Sequence, residues 1–190
     1  MNHKSKNTGN ATSQGRQVSA GYGFIELDRS FHELSYSLRS EDGFDLSEAA
    51  HIRGNIRWSD IIKDHRTVIL SEAGSGKTEE IRHAAEKLRE KGQPAFFLRL
   101  EHVSDDFEEA FEVGSIQEFD AWLRSDDEGW IFLDSVDEAR LKSPTDFARA
   151  VRKMSGKIKT AMQRAHIVIT GRTHAWRPKS DAQLCQAQFP

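Results

Sequence analysis

The stretch from Thr67 to Thr78, TVILSEAGSGKT, constrains the fold of this chain more than any other. Thr67, Val68, Ile69 and Leu70 form a short β-branched and apolar run, the pattern of a buried strand. A loop ending Gly74-Ser75-Gly76-Lys77-Thr78 follows, and then a helical pattern. Strand, glycine-rich loop and helix in that order are the context a phosphate-binding loop requires. The residues Ala73, Gly74, Ser75, Gly76, Lys77 and Thr78 are therefore the candidate anion-binding set. Glycines let successive backbone N–H groups turn inward around a phosphate, and the new helix adds its N-terminal dipole. Lys77 would supply a compact cation to β- and γ-phosphates, and the Thr78 hydroxyl a ligand for Mg²⁺.

One position departs from the spacing G-x-x-x-x-G-K-[ST], which places a glycine where this chain has Ser71. A serine carries a Cβ and adopts a positive φ only at a cost. The substitution predicts an altered or strained entry turn, with the phosphate-contacting end from Gly74 to Thr78 intact.

At 190 residues the chain can enclose one sizeable core with some tail left over. A formal net charge of −3 argues against a dedicated nucleic-acid surface. Nucleic acid is accordingly not an expected partner. The single cysteine, Cys185, has no internal partner for a disulfide, which fits a reducing compartment. No apolar run approaches membrane-spanning length, and no secretory apolar segment opens the chain. A soluble cytoplasmic protein is expected, without membrane contacts. The eight histidines show no metal-ligand spacing, so no zinc site is expected.

The pattern divides the chain into a polar tail over 1–20, a segment over 21–66, a core over 67–175 and an extension over 176–190. The tail has no aromatic residue and too little apolar surface to offset its ordering entropy. In the second segment Phe24, Ile25 and Leu27 suggest an extended piece. Phe31, Leu34, Tyr36 and Leu38 follow, and Trp58, Ile61 and Ile62 hint at a short helix near Ser59. That segment either lines an adenine pocket or simply packs a helix on the sheet edge.

Downstream, Ile81, Ala84, Ala85 and Leu88 give a helix from Thr78 to Lys91 one apolar face, and Gly92 stops it. Glu79 in its first turn must point outward to leave room for an anion. Ala95 to Leu100 is a second strand, introduced by Pro94. Glu101 to Val113 reads as an acidic loop or loosely helical connection, without the alternating ligands of a cation site. Ser115 and Glu118 form a capping box for a helix presenting Ile116, Phe119, Trp122 and Leu123.

Trp130 to Asp134 is apolar up to its last residue, the pattern of a central strand buried on both faces. It runs into Asp134-Ser135-Val136-Asp137-Glu138. An aspartate at the carboxyl end of a buried strand beside the phosphate loop can hold Mg²⁺. Asp137 or Glu138 can polarise an attacking water. Ser143 and Pro144 predict a helix start, with apolar spacing kept from Phe147 to Ala165 and a basic opposite face read as solvated. His166 to Thr170 is a fourth strand, followed by Gly171 and Arg172. Arg172 is either a contact for a γ-phosphate or a surface cation after a strand. Beyond Thr173 the chain is polar and weakly patterned.

LSEAGSGKT, WIFLDSVDEAR and VITGR, in that order, resemble the NACHT-type branch of the STAND nucleotide-switch ATPases. The Asp-x-x-Asp-Glu strand end is the specific part, and the likeness covers about Trp58 to Arg172. It implies a P-loop NTPase core of the ASCE type, an α/β three-layer sandwich around a mainly parallel sheet. It implies ATP or ADP with Mg²⁺ as cofactors, Lys77 and Thr78 on phosphate and metal, and Asp134 on Mg²⁺. Asp137 or Glu138 would activate water and Arg172 would sense the γ-phosphate. Members hydrolyse ATP slowly, and many bacterial ones act in antiphage defence. They self-associate or meet protein partners in the ATP form. The family continues into a fifth strand, a helical lid and a winged helix, none of which is legible before Pro190. The strand before the loop is therefore expected at the sheet edge, with the site completed by further chain or a partner. The alternative is a non-hydrolysing scaffold that keeps the architecture and uses its charged faces for protein contacts.

Overall fold

Four of the apolar runs become parallel strands, and three of them, buried along nearly their whole length, occupy the interior of one sheet. The structure is a computed structural model, and it describes residues 30–31, 56–140 and 143–190. The tail over 1–20, the extended piece at Phe24, Ile25 and Leu27, and Leu34, Tyr36 and Leu38 lie outside the described residues.

The strands are β1 (Arg66–Ser71), β2 (Ala95–Arg99), β3 (Phe111–Val113), β4 (Gly129–Asp134) and β5 (Ala165–Arg172). Their order across the sheet is β1-β5-β4-β2-β3, parallel except for β3, which pairs antiparallel with β2. The protein is thus an α/β fold around a five-stranded, mainly parallel sheet. β4 is buried at every residue in the centre, as its unbroken apolar run predicts. Among the described residues β1 pairs only with β5 and lies at the sheet edge.

The helices are α1 (Trp58–Ile61), α2 (Lys77–Glu90), α3 (Leu100–Val103), α4 (Ile116–Leu123), α5 (Val136–Ala139), α6 (Asp146–Lys157) and α7 (Pro178–Gln188). The pleat sends alternate strand residues to opposite cores. Ile69, Ala95, Phe97, Phe132 and Val168 meet Ile81, Ala85 and Leu88 of α2 on one face. Phe96, Leu98, Ile131, Leu133, Ile167 and Ile169 meet Phe119, Trp122, Phe147, Val151 and Met154 on the other. α1 packs on the α2 side, where Phe31 meets Trp58 edge-on and the Trp58 indole N–H donates to Glu80 at 3.0 Å.

Four expectations need correction. The acidic stretch, read as a loop or loosely helical connection, does carry a short helix, α3, but its end needs correction, since Phe111–Val113 adds β3 to the sheet. The buried side chains of Leu100, Val103, Phe107 and Ala110 pull this polar sequence onto the core, and tertiary burial overrides local charge. The α6 helix begins at Asp146, and Ser143 Oγ accepts instead from the Thr145 N–H at 3.3 Å. Five continuous turns do not form either. The helix ends at Lys157, and a 3₁₀ segment, Lys159–Arg164, keeps Ala161 buried at a tighter pitch. Finally, the weakly patterned end forms α7, where Asp181 is buried against Arg140 (2.6 Å) and Phe189 enters the core. A helix held by one buried ion pair and a few apolar contacts leaves little periodicity to read.

Gly129 opens β4 because no side chain fits there. A Cβ on it would lie 2.3 Å from the Trp122 indole. Gly129→Ala is expected to destabilise the protein by about 1–3 kcal/mol through forced repacking. The check is the midpoint of urea unfolding, and an unchanged midpoint would refute it.

Candidate functional site

The pleat that builds the core also builds the site. Ile69, Phe97, Phe132 and Val168 face α2, so Ser71, Arg99, Asp134 and Thr170, each two residues further on, face the same side at the strands' carboxyl ends. Register completes the row: Ser71 is opposite Arg172, and Arg99 is opposite Asp134. The carboxyl ends of parallel strands are where ligands bind in open α/β sheets.

The loop between β1 and α2 turns through Gly74 (φ +73°) and Gly76 (φ +80°), the left-handed conformations that glycine adopts without strain. Gly76 is the residue immediately before α2, so the first N–H groups of the helix open toward the loop. The strain expected at Ser71 is absent. Ser71 ends β1 in extended conformation, no non-glycine residue has a positive φ among the described residues, and the loop turns later. The Ser71 hydroxyl lies 2.9 Å from that of Ser75 and ties the two ends of the loop together. Glu79 is largely exposed and pairs with Arg82 at 2.7 Å, yet it also lines the cavity beside Thr78.

Asp134 is 1% exposed and is held from two sides. Thr78 Oγ1 donates to its Oδ2 at 2.7 Å, and Thr170 Oγ1 donates to its Oδ1. Neighbouring ligands of a Mg²⁺ octahedron stand roughly 3 Å apart, so the Thr78 and Asp134 oxygens fit two adjacent ligand positions. Among the described residues no three His, Cys, Asp or Glu side chains gather as a metal cage.

Asp137 and Glu138 have different surroundings. Asp137 is engaged on both oxygens: Oδ1 accepts from Ser135 Oγ at 2.9 Å and the Arg172 N–H at 3.1 Å, and Oδ2 meets Arg172 Nε at 2.8 Å. Glu138 has one engaged oxygen, Oε2, 3.1 Å from Arg99 Nη1. Burial pushes the Glu138 carboxyl above the usual range; Arg99 pulls it down, while Asp134, Glu101 and Asp137 push it up. A base raised in this way binds a proton more readily.

These groups share one cavity of about 300 Å³. It is lined by the run from Ala73 to Glu79 on one side and by Asp134, Ser135, Asp137, Glu138 and Arg172 on the other. All of the residues singled out from the sequence therefore meet. A larger depression of about 400 Å³ near Arg89, Phe96, Glu118 and Trp122 gathers no comparable set of reactive groups. Three contributors went unread in the sequence: Thr170 on Asp134, Ser135 on Asp137, and Arg99. Arg99 did leave a signal, a cation closing an otherwise apolar strand, as Asp134 closes β4.

The site thus brings together a glycine-turned loop, Lys77, the Thr78 and Asp134 oxygens, the one-third-exposed Glu138 carboxylate and Arg172. Comparison of the sequence with protein-family models and with curated proteins finds no match. Among the described residues no helix is long and apolar enough to cross a membrane.

Proposed function

We propose that this chain is a Mg²⁺-dependent nucleotide-binding module that hydrolyses ATP slowly, a switch of the NACHT-like STAND kind with a P-loop core. The observation that carries this reading is the convergence of loop, Lys77, Thr78–Asp134, Glu138 and Arg172 on one cavity. In it the loop amides and Lys77 would hold the β- and γ-phosphates of ATP or the β-phosphate of ADP, and Thr78 and Asp134 would hold the metal. Bound Mg²⁺ would neutralise charge on the phosphate oxygens. Glu138 takes a proton from water as its oxygen bonds to the γ-phosphorus, and the bond from that phosphorus to the ADP oxygen breaks. Arg172, steadied by Asp137, meets the γ-phosphate and so distinguishes ATP from ADP. Self-association in the ATP form, a cytoplasmic site of action and a part in antiphage defence would follow from the resemblance.

The test is calorimetric titration with Mg-ATP and Mg-ADP beside Lys77→Ala. Saturable binding is expected for the parent. Loss of a charged hydrogen-bond donor to phosphate is expected to weaken it roughly 10- to 100-fold in the variant. No binding by the parent, or equal binding by both, would sink the proposal.

One observation favours the second reading, a scaffold without turnover. The site's own side chains pair with one another, Thr78 with Asp134 and Arg172 with Asp137. Nucleotide binding without phosphate release would decide for it.

A further inference from the structure

Arg99 is the charged group beside this cavity that no motif picks out. Its stem runs beside the Phe97 ring, with the guanidinium carbon 6.0 Å from the ring centre. The guanidinium meets carboxylates from three elements. Nε is 3.3 Å from Glu112 Oε1 of β3, and Nη1 is 3.1 Å from Glu138 Oε2 and 3.7 Å from Asp134 Oδ2. Burial pulls the guanidinium down, and Asp134, Glu138 and Glu112 together outweigh it, so Arg99 is held as a cation. The other oxygen of Glu112 is fixed by Arg82 of α2 at 3.2 Å. Arg99 is therefore braced from the outer strand and from the helix that carries the loop.

Glu138 lines the cavity and Arg99 does not. The guanidinium thus reaches Glu138 from the wall and takes Oε2, leaving Oε1 for the cavity. Without it, Glu138 would keep the negative charges of Asp134, Glu101 and Asp137 around it and lose its ion-pair partner. A flexible side chain one-third exposed would then turn to solvent. The planar fork of an arginine fixes direction as well as charge, which a lysine does only in part.

We infer that Arg99 is a positioning residue that holds Glu138 aimed at the attacking water, an inference that rests on the hydrolytic reading of the site. It does not line the cavity, so its removal is expected to act on turnover more than on nucleotide binding.

The experiment is steady-state ATP hydrolysis and Mg-ADP titration for the parent, Arg99→Met, Arg99→Lys, Glu138→Gln and the double variant Arg99→Met/Glu138→Gln. Methionine keeps an aliphatic stem beside Phe97, which protects the fold. Arg99→Met is expected to lose roughly ten- to hundredfold in kcat from misplacing the base, with KM and Mg-ADP affinity within about twofold. Arg99→Lys should recover part of the loss. The double variant should be no slower than Glu138→Gln alone, since the two residues act through one group. Undiminished or raised kcat in Arg99→Met, losses that multiply in the double variant, or a loss confined to nucleotide affinity would each overturn the inference. A parent that binds nucleotide without turnover fails the hydrolytic reading and this inference with it. Turnover that survives in Arg99→Met fails this inference alone.

Discussion

Glu138→Gln is expected to lower kcat for ATP hydrolysis by roughly 10²- to 10⁴-fold while Mg-ADP still binds, because it removes a general base and leaves the phosphate loop untouched. Motif spacing leaves Asp137 and Glu138 as equal candidates. Asp137 is 13% exposed at its side chain, and both of its oxygens are committed to Ser135 and Arg172. Glu138 is 34% exposed, lines the cavity and has one oxygen free of Arg99. Burial also lifts the Glu138 carboxyl, and a more basic carboxylate is better matched to taking a proton from water. Asp137→Asn should therefore cost less at the chemical step and act through the position of Arg172. Single-turnover phosphate release from both variants, read beside nucleotide titrations, checks this. Full turnover in Glu138→Gln with loss in Asp137→Asn would reverse the two roles.

Phe132→Ala carries the largest expected stability loss, about 3–5 kcal/mol for emptying a buried aromatic site. At roughly 2–4 °C per kcal/mol for a chain of this size, the thermal midpoint should fall by about 6–20 °C. Phe132 is fully buried in the middle of the sheet, between Phe97 of β2 and Val168 of β5 in register, and it faces α2. β4 has strand neighbours on both sides, so little can move in to refill the space. The same side chain packs two residues before Asp134 on the same face, so the cavity would loosen the strand that carries Asp134. A thermal melt followed by circular dichroism measures it, and a shift under about 2 °C, less than about one kcal/mol on that scale, would show that the site refills.

The sequence determined the strands and helices wherever one face of an element is buried in a regular period. Trp130 to Leu133 and Ile167 to Ile169 are apolar without a break, and Ile81 to Leu88 repeats at helical spacing. It determined the loop as well, since Gly74 and Gly76 are needed at left-handed positions and Lys77 and Thr78 follow at fixed offsets. Chemistry concentrated at the ends of apolar runs, in Asp134, Asp137, Glu138 and Arg172, was legible because charges there interrupt an otherwise simple pattern.

What only the tertiary structure decided are matters of neighbourhood. The strand of Phe111–Val113 exists because β2 offers it an edge, not because its three residues prefer one. Ser71 is unstrained because β1 carries it in extended form past the point where spacing alone demands a turn. Asp137 and Glu138, adjacent in the chain, part company because a short helical turn points one at Arg172 and the other at Arg99. Arg99 joins the site only through its register opposite Asp134, thirty-five positions away in the chain. Composition and period report what a residue is and which face it takes. Which charges share that face depends on how strands from distant parts of the chain pair.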